Sequence, residues 1–227
     1  GLTVTVDYWD VEIEDAISSV SAQDIVDNCY DSTGFPGPFC GLFDRNRDTT
    51  SPQFGGFKFL RQTQINFASI EAAGTDFAVN YTFDWAENTF GARLVGSKQE
   101  KLDFFTDPSD PTLTDPELGE IQQPEWAGNI SLTWERGPAL LGLQTTYVDS
   151  QGLTDVEIET ADNVYGPAGF TDEMYLFDLF GRYEFSDMLE FYGGVNNVTD
   201  EEPFITENAW PVGPRGRFFF LGAKYSY

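Results

Sequence analysis

The sequence predicts an all-β fold, a transmembrane antiparallel β-barrel, on three observations. Apolar and polar side chains alternate in segments of about ten residues with aromatic ends, as in strands that cross an outer membrane. The connections between these segments run long and short in turn. One segment is bracketed by tryptophans: Trp126, Gly128, Ile130, Leu132 and Trp134 share a face, opposite Ala127, Asn129, Ser131, Thr133 and Glu135. At about 3.3 Å per residue and a tilt of about 40°, the two indoles stand on the order of 20 Å apart along the membrane normal, close to the height of an outer-membrane apolar band. A two-layer sheet with tryptophan in its core is the alternative for the same pattern.

The first strand runs from Leu2 to about Ile13, with Leu2, Val4, Val6 and Tyr8 opposite Thr3, Thr5 and Asp7. Its phase changes at Trp9, Val11 and Ile13, which reads as a bulge or an exit from lipid. A large loop with structure of its own follows to about Gln64, with a helical pattern from Ser21 to Tyr30 and then a Gly/Pro-rich stretch. The second strand, from about Ile65 to Trp85, sets Phe77, Val79, Tyr81, Phe83 and Trp85 against Ala78, Asn80, Thr82 and Asp84. After the tight Ala86-Glu-Asn88 connection, the third sets Phe90, Ala92, Leu94 and Gly96 against Arg93, Ser97 and Gln99. Asp and Pro then mark a loop from about Glu100 to Gln123.

Beyond the fourth, tryptophan-bracketed strand and the Arg136-Gly-Pro138 turn, the fifth strand presents Leu141, Leu143, Thr145 and Tyr147 against Gly142, Gln144 and Thr146. A long loop spans about Asp149 to Glu173. The sixth strand sets Tyr175, Phe177, Leu179, Tyr183 and Phe185 against Asp178, Arg182 and Glu184. The Ser186-Asp-Met188 turn joins it to the seventh, with Leu189, Phe191 and Val195 against Glu190, Tyr192 and Asn196. A loop from about Asn197 to Arg215 leads to the last strand, where Phe219, Leu221, Ala223, Tyr225 and Tyr227 oppose Gly222, Lys224 and Ser226.

Eight strands with three short and four long connections place every long loop on one side, the asymmetry of outer-membrane barrels. Compact soluble domains connect their elements through about 4 to 6 residues, so four irregular loops beyond roughly 15 count against such a fold.

At 227 residues, 41% apolar and 16% aromatic, the chain has ample material for order, as one large domain or two small ones. No stretch nears the roughly 18 apolar residues of a spanning helix, so a membrane must be crossed by strands. A net charge of −26 without a basic stripe excludes nucleic acid as a partner. The acid excess either serves solubility or sits in water-facing loops, where Asp and Glu bridge divalent cations. Histidine is absent, which removes the commonest general base and metal ligand; neither an enzyme, a cofactor nor a metal site is expected.

The cysteines Cys29 and Cys40 sit close together in the Gly/Pro-rich stretch, which suits a disulfide that closes a loop in an oxidising compartment. Asn80, Asn129 and Asn197 match the glycosylation pattern by chance. Residue 1 is Gly with no leader before the first strand, which is expected of a mature, trimmed or fragmentary chain.

The run from Tyr192 through Asn196, Asn197 and Asp200, then Glu202-Pro203, Gly213-Pro-Arg-Gly216 and the end from Phe218 to Tyr227 resemble the C-terminal region of TonB-dependent outer-membrane receptors. So do Asp7 to Ile17 and the stretch from Asn66 through Gly74-Thr-Asp76. The resemblance spans essentially residues 1–227 and implies the C-terminal part of the barrel domain, without its plug domain. It implies eight C-terminal strands of a plugged barrel of roughly 22 strands in the bacterial outer membrane. It also implies active uptake of a scarce nutrient, such as a ferric siderophore or an oligosaccharide. The partners implied are outer-membrane lipid, the N-terminal barrel strands and plug of the same receptor, and TonB–ExbB–ExbD acting through that plug. A small closed barrel, either structural or a passive porin, is the alternative, and a soluble β-rich binding module is a third.

Within the family frame, this chain supplies wall and extracellular loops. The inward-facing Asp7, Arg93, Asp178, Arg182, Glu184 and Lys224 either line the ligand's path or pair with one another and with the plug. The loop aromatics Phe35, Phe39, Tyr165, Phe170 and Trp210 either stack on a ligand ring or pack against their own loops. The run Asp107 to Pro111, with Asp115 and Glu117, lacks the ligand spacing of a calcium loop. Tyr227 carries the aromatic end that, in the family, the outer-membrane assembly machinery recognises; it is also a girdle residue.

Overall fold

The structure, a computed structural model, describes residues 1–31, 35–62, 64–105, 114–153, 158–204 and 210–226. Tyr227 and the Asp107–Pro111 run lie outside the described residues. In chain order the strands are β1 (Leu2–Ser19), β2 (Phe43–Arg45), β3 (Phe57–Leu60), β4 (Gln64–Trp85), β5 (Asn88–Phe105), β6 (Asp115–Pro116), β7 (Trp126–Arg136), β8 (Ala139–Val148), β9 (Met174–Ser186), β10 (Leu189–Asn196) and β11 (Phe218–Tyr225). The helices are α1 (Ala22–Tyr30) and α2 (Ile158–Tyr165). Two compact units result: one of Gly1–Asp10, Ala73–Lys101 and Glu117–Tyr227, the other of Val11–Ala72 and Leu102–Pro116.

The first unit is a sheet. Its strand order is β1-β4-β5-β7-β8-β9-β10-β11, with β1 and β11 at the two ends, so all eight expected strands are present. Three tight turns join β4 to β5, β7 to β8 and β9 to β10. At the first, Ala86 and Glu87 both take positive φ, the backbone of a two-residue hairpin, and Asn88 Nδ2 donates to the carbonyls of Trp85 and Ala86. Gly137, also at positive φ, turns the second.

Register carries the alternation across the ladders. One row on the apolar face runs Phe90, Trp134, Leu141, Gly181, Gly193, Leu221; the next runs Ala92, Leu132, Leu143, Leu179, Val195, Phe219. That face is bare: Leu221 is 86% exposed, Leu141 57% and Ile130 44%. The alternative of tryptophans under a second layer therefore fails, since Trp126 itself is 39% exposed. At one margin Lys98 pairs in register with Trp126, its ammonium 5.7 Å from the indole and 3.1 Å from Glu100. At the other, Trp134 Nε1 donates to Asn88 at 2.8 Å. Both indoles thus end the apolar band on polar groups, as amphipathic rings at a membrane interface do.

Three sequence expectations need correction. β1 continues to Ser19, six residues past the expected end at about Ile13, with positive φ at Asp15, and the Trp9 indole packs where a side chain at Gly74 would stand. β5 runs on to Phe105, six residues past the expected end at Gln99. The loop after β8 contains α2, followed by a short 3-10 turn at Gly166–Gly169.

The second unit folds around α1. Ser21 caps the helix, its hydroxyl accepting from Asp24 N at 3.1 Å, and the helix buries Ile25, Asn28 and Cys29. Val20, Ile25, Cys29, Phe39 and Phe43 form a small core, and the Cys29–Cys40 disulfide is formed. β2 and β3 make an antiparallel ribbon, Phe43 opposite Leu60 and Arg45 opposite Phe57. This ribbon falls within the expected loop, since strands of three and four residues are too short for a period to show.

Candidate functional site

Two surfaces hold the residues with chemistry: the polar face of the sheet and the cleft of the α1 unit. On the polar face, register sets Arg93 opposite Ser131, Ser131 opposite Gln144, and Gln144 opposite Asp178. These strands point alternate side chains to one side, so a charge every second residue stays in water while its neighbours face the apolar band.

The six expected path residues fall into two groups. Arg182 stands 3.8 Å from Glu184 and 3.7 Å from Glu190, so it and Glu184 are paired. Asp178 accepts the Asn197 backbone N–H at 2.7 Å, and so holds the chain where it leaves β10. Asp7, Arg93 and Lys224 make no ion pair among the described residues. Asp7 opens onto a concavity of about 440 Å³ with Asp76, Ser97 and Asn129, where Asp76 already accepts from the Ser97 hydroxyl at 2.6 Å. Lys224 lies in register with Glu190 at the turn end of the sheet.

The five loop aromatics also separate. Phe39 is 7% exposed and belongs to the core of the α1 unit, so it is not a stacking surface. Trp210 packs on Phe204, ring centroids 5.9 Å apart, and Phe170 is half-buried in a bridge to Gly152. Tyr165 ends α2 and is 52% exposed. Phe35 is 63% exposed and stacks on Tyr30, centroids 5.8 Å apart and planes 9° from parallel.

Phe35 opens the cleft that the sequence did not reveal. About 500 Å³ in volume, it is lined by Tyr30, Phe35, Phe43, Arg45, Arg47 and Phe54, with the disulfide behind. Arg45 is its hub. Its Nε donates to the Tyr30 phenol oxygen at 3.1 Å, its Nη1 to the Gly55 carbonyl at 2.8 Å, and its guanidinium carbon lies 4.3 Å from the Phe57 ring centroid. The lining carboxylate, Asp44, is held by Lys58 at 2.9 Å, and that hydrogen bond keeps its pKa below the usual 3.8. One sequence feature does mark the place: four of the chain's 12 Lys and Arg fall between Arg45 and Arg61, against a net charge of −26.

No group of three or more Asp, Glu, Cys or His among the described residues is placed to hold a metal ion. No described helix is long and apolar enough to cross a membrane, which leaves crossing by strands open.

An open antiparallel sheet with one bare apolar face, tryptophan-edged, and tight turns at one end is a sector of transmembrane β-barrel wall. The chain belongs to the TonB dependent receptor-like, beta-barrel family, whose model matches residues 1–198. Among solved structures it is similar to the ferric-catecholate import receptor Fiu from E. coli K12, at 15% identity and a TM-score of 0.54, covering 100% of this chain and 25% of that one. It is also similar to the FrpB iron transporter from Neisseria meningitidis, at 16% identity and a TM-score of 0.57, covering 100% of this chain and 28% of that one. A mutant of the ferric enterobactin receptor PfeA from Pseudomonas aeruginosa matches at 16% identity and a TM-score of 0.59, with 100% and 29% covered. The chain thus spans between 25% and 29% of the length of these structures. No curated protein matches the sequence.

Proposed function

We propose that this chain is wall and loop of an outer-membrane active transporter for a scarce nutrient, a ferric siderophore or similar metal chelate. The observation that carries the membrane part is the bare apolar face between Trp126 and Trp134. Rows of Leu, Ile and Phe exposed to this extent would associate or precipitate in water, and hydrocarbon is the medium in which they cost nothing. Family membership supports the rest. The remaining strands of a barrel of roughly 22 would continue from the free edges of β1 and β11, and a plug would fill the lumen.

In this reading the polar face looks into the lumen. Asp7, Arg93 and Lys224, unpaired among the described residues, are the charges available to a plug or a passing ligand, while Arg182, Glu184 and Asp178 serve the wall itself. TonB–ExbB–ExbD would act on the plug.

The test is growth on a panel of iron(III) chelates as sole iron source, with strains lacking this gene, lacking TonB, or lacking neither. Loss of growth on the same chelate in both deletion strains supports the proposal. Gene-dependent uptake that survives loss of TonB, with liposome swelling by the purified protein, would assign it to the passive porins.

A further inference from the structure

We infer that the α1-unit cleft is a capture site for a planar aryl anion, a ring that carries a carboxylate or a phenolate. The inference deepens the transport reading, on which it rests for the purpose of capture, although the cleft's geometry stands by itself. Three features of the lining point the same way.

The first is charge. In a chain of net charge −26, this cleft shows two guanidiniums, Arg45 and Arg47, and a single carboxylate, Asp44, already engaged by Lys58 at 2.9 Å. Arg47 is exposed and makes no hydrogen bond or ion pair among the described residues; its charge reaches Asp44 only through space. A free guanidinium fork suits a carboxylate or a pair of adjacent oxygens.

The second is the sense of the hydrogen bonds. Tyr30 accepts from Arg45 Nε through its phenol oxygen and so keeps its own O–H to donate. With Arg47, the cleft offers donors, which an acceptor-only oxyanion satisfies.

The third is the aromatic surface. Tyr30 and Phe35 lie nearly parallel with Phe35 and Phe54 60% or more exposed, so a flat ring can extend the stack. Arg45 fixes this platform: it holds Tyr30 by a hydrogen bond and lies over Phe57, and the disulfide ties α1 to the turn behind it. A neutral sugar would use the rings but leave Arg47 unanswered. A plain anion would use Arg47 but leave the rings in water.

The test uses the whole receptor purified in detergent and 5-fluorosalicylate as probe, read by 19F NMR. Saturable binding is expected, with Arg47→Gln weakening it roughly tenfold and Phe35→Ala several-fold. Arg47→Lys should recover part of the affinity. Cyclohexanecarboxylate, which lacks the π face, and benzyl alcohol, which lacks the charge, should each compete at least roughly tenfold less well than salicylate. An intact disulfide and an unchanged melting profile show that the variants are folded. No binding to the wild-type protein, unchanged affinity in folded Arg47→Gln, or equal competition by either control or by a neutral oligosaccharide overturns the assignment. Aryl-anion binding that persists while uptake proves independent of TonB would overturn the transport reading and leave this site standing.

Discussion

Phe180 lies over Gly142, its partner across the β8–β9 ladder, and occupies the place where a side chain at 142 would stand. The same arrangement recurs on the polar face, where Phe220 covers Gly194 and Tyr192 covers Gly222. Each ring restores the contact surface that its glycine lacks and so stiffens the strand pair. Gly142→Ala should therefore destabilise the sheet by about 1–3 kcal/mol through overpacking. Phe180→Ala in the same chain should relieve most of that strain, and a double-mutant cycle by urea unfolding in detergent reads the coupling. Additive effects would show that the ring and the glycine are independent.

Asn197 sits at positive φ, 3% exposed, and closes the exit from β10. Its side chain donates to Glu201 O and accepts from Glu201 N, both at 2.8 Å, while its own N–H goes to Asp178. Asp200 then accepts Arg217 N at 2.7 Å beside Gly216, so the loop is tied to the start of β11. Asn197→Ala loses both side-chain bonds and the residue type that tolerates this backbone, so a cost of about 2–3 kcal/mol is expected. Hydrogen exchange should show loss of protection at residues 197–204 before the β7–β8 pair opens. Asp178→Asn, which keeps an acceptor, should cost less than Asp178→Ala.

Much of the sheet was legible because a membrane-facing strand carries its own pattern. Lipid demands an apolar residue at every second position, and the aromatic ends mark its length, so eight strands stand out of one sequence. The loops have no such rule. Phe39 and Phe35 sit four residues apart in one Gly/Pro-rich stretch, yet one is core and the other is surface; only the fold of α1 over β2 separates them. Arg45 draws its partners from Tyr30, Phe43, Gly55 and Phe57, a convergence that no local spacing announces. The charged alternation on β9 likewise gave Asp178 and Arg182 the same face, but not that one serves a backbone N–H and the other two carboxylates.

The Cys29–Cys40 disulfide closes a loop of 11 residues within the α1 unit, whose buried core is small. Loop-closure entropy gives such a bond about 3 kcal/mol of stabilisation. Replacing both cysteines by serine should therefore loosen the segment from Val20 to Leu60 and leave the strand pairs β7 to β11 unchanged. Limited proteolysis in detergent, with and without reductant, checks this; cleavage spreading equally into the tight turns would contradict it.

The Asp44–Lys58 contact makes the β2–β3 ribbon sensitive to acid in one direction only. The Lys58 hydrogen bond holds the Asp44 carboxyl below its usual 3.8, with further lowering from the charge of Lys58 and the N–H of Arg45. A group whose pKa is depressed by folding stabilises the fold above its unfolded value, and that contribution is lost as the pH falls through the lowered value. Protection of the ribbon amides should thus be flat from neutral pH down to about 5 and decline only below 3.8. The pair is exposed, so added salt should weaken its contribution at neutral pH. Asp44→Asn should abolish the acid step in the ribbon while sparing the α1 core, which Val20, Ile25 and Phe39 hold without titrating groups. An acid step that persists in Asp44→Asn would place its origin elsewhere in the unit.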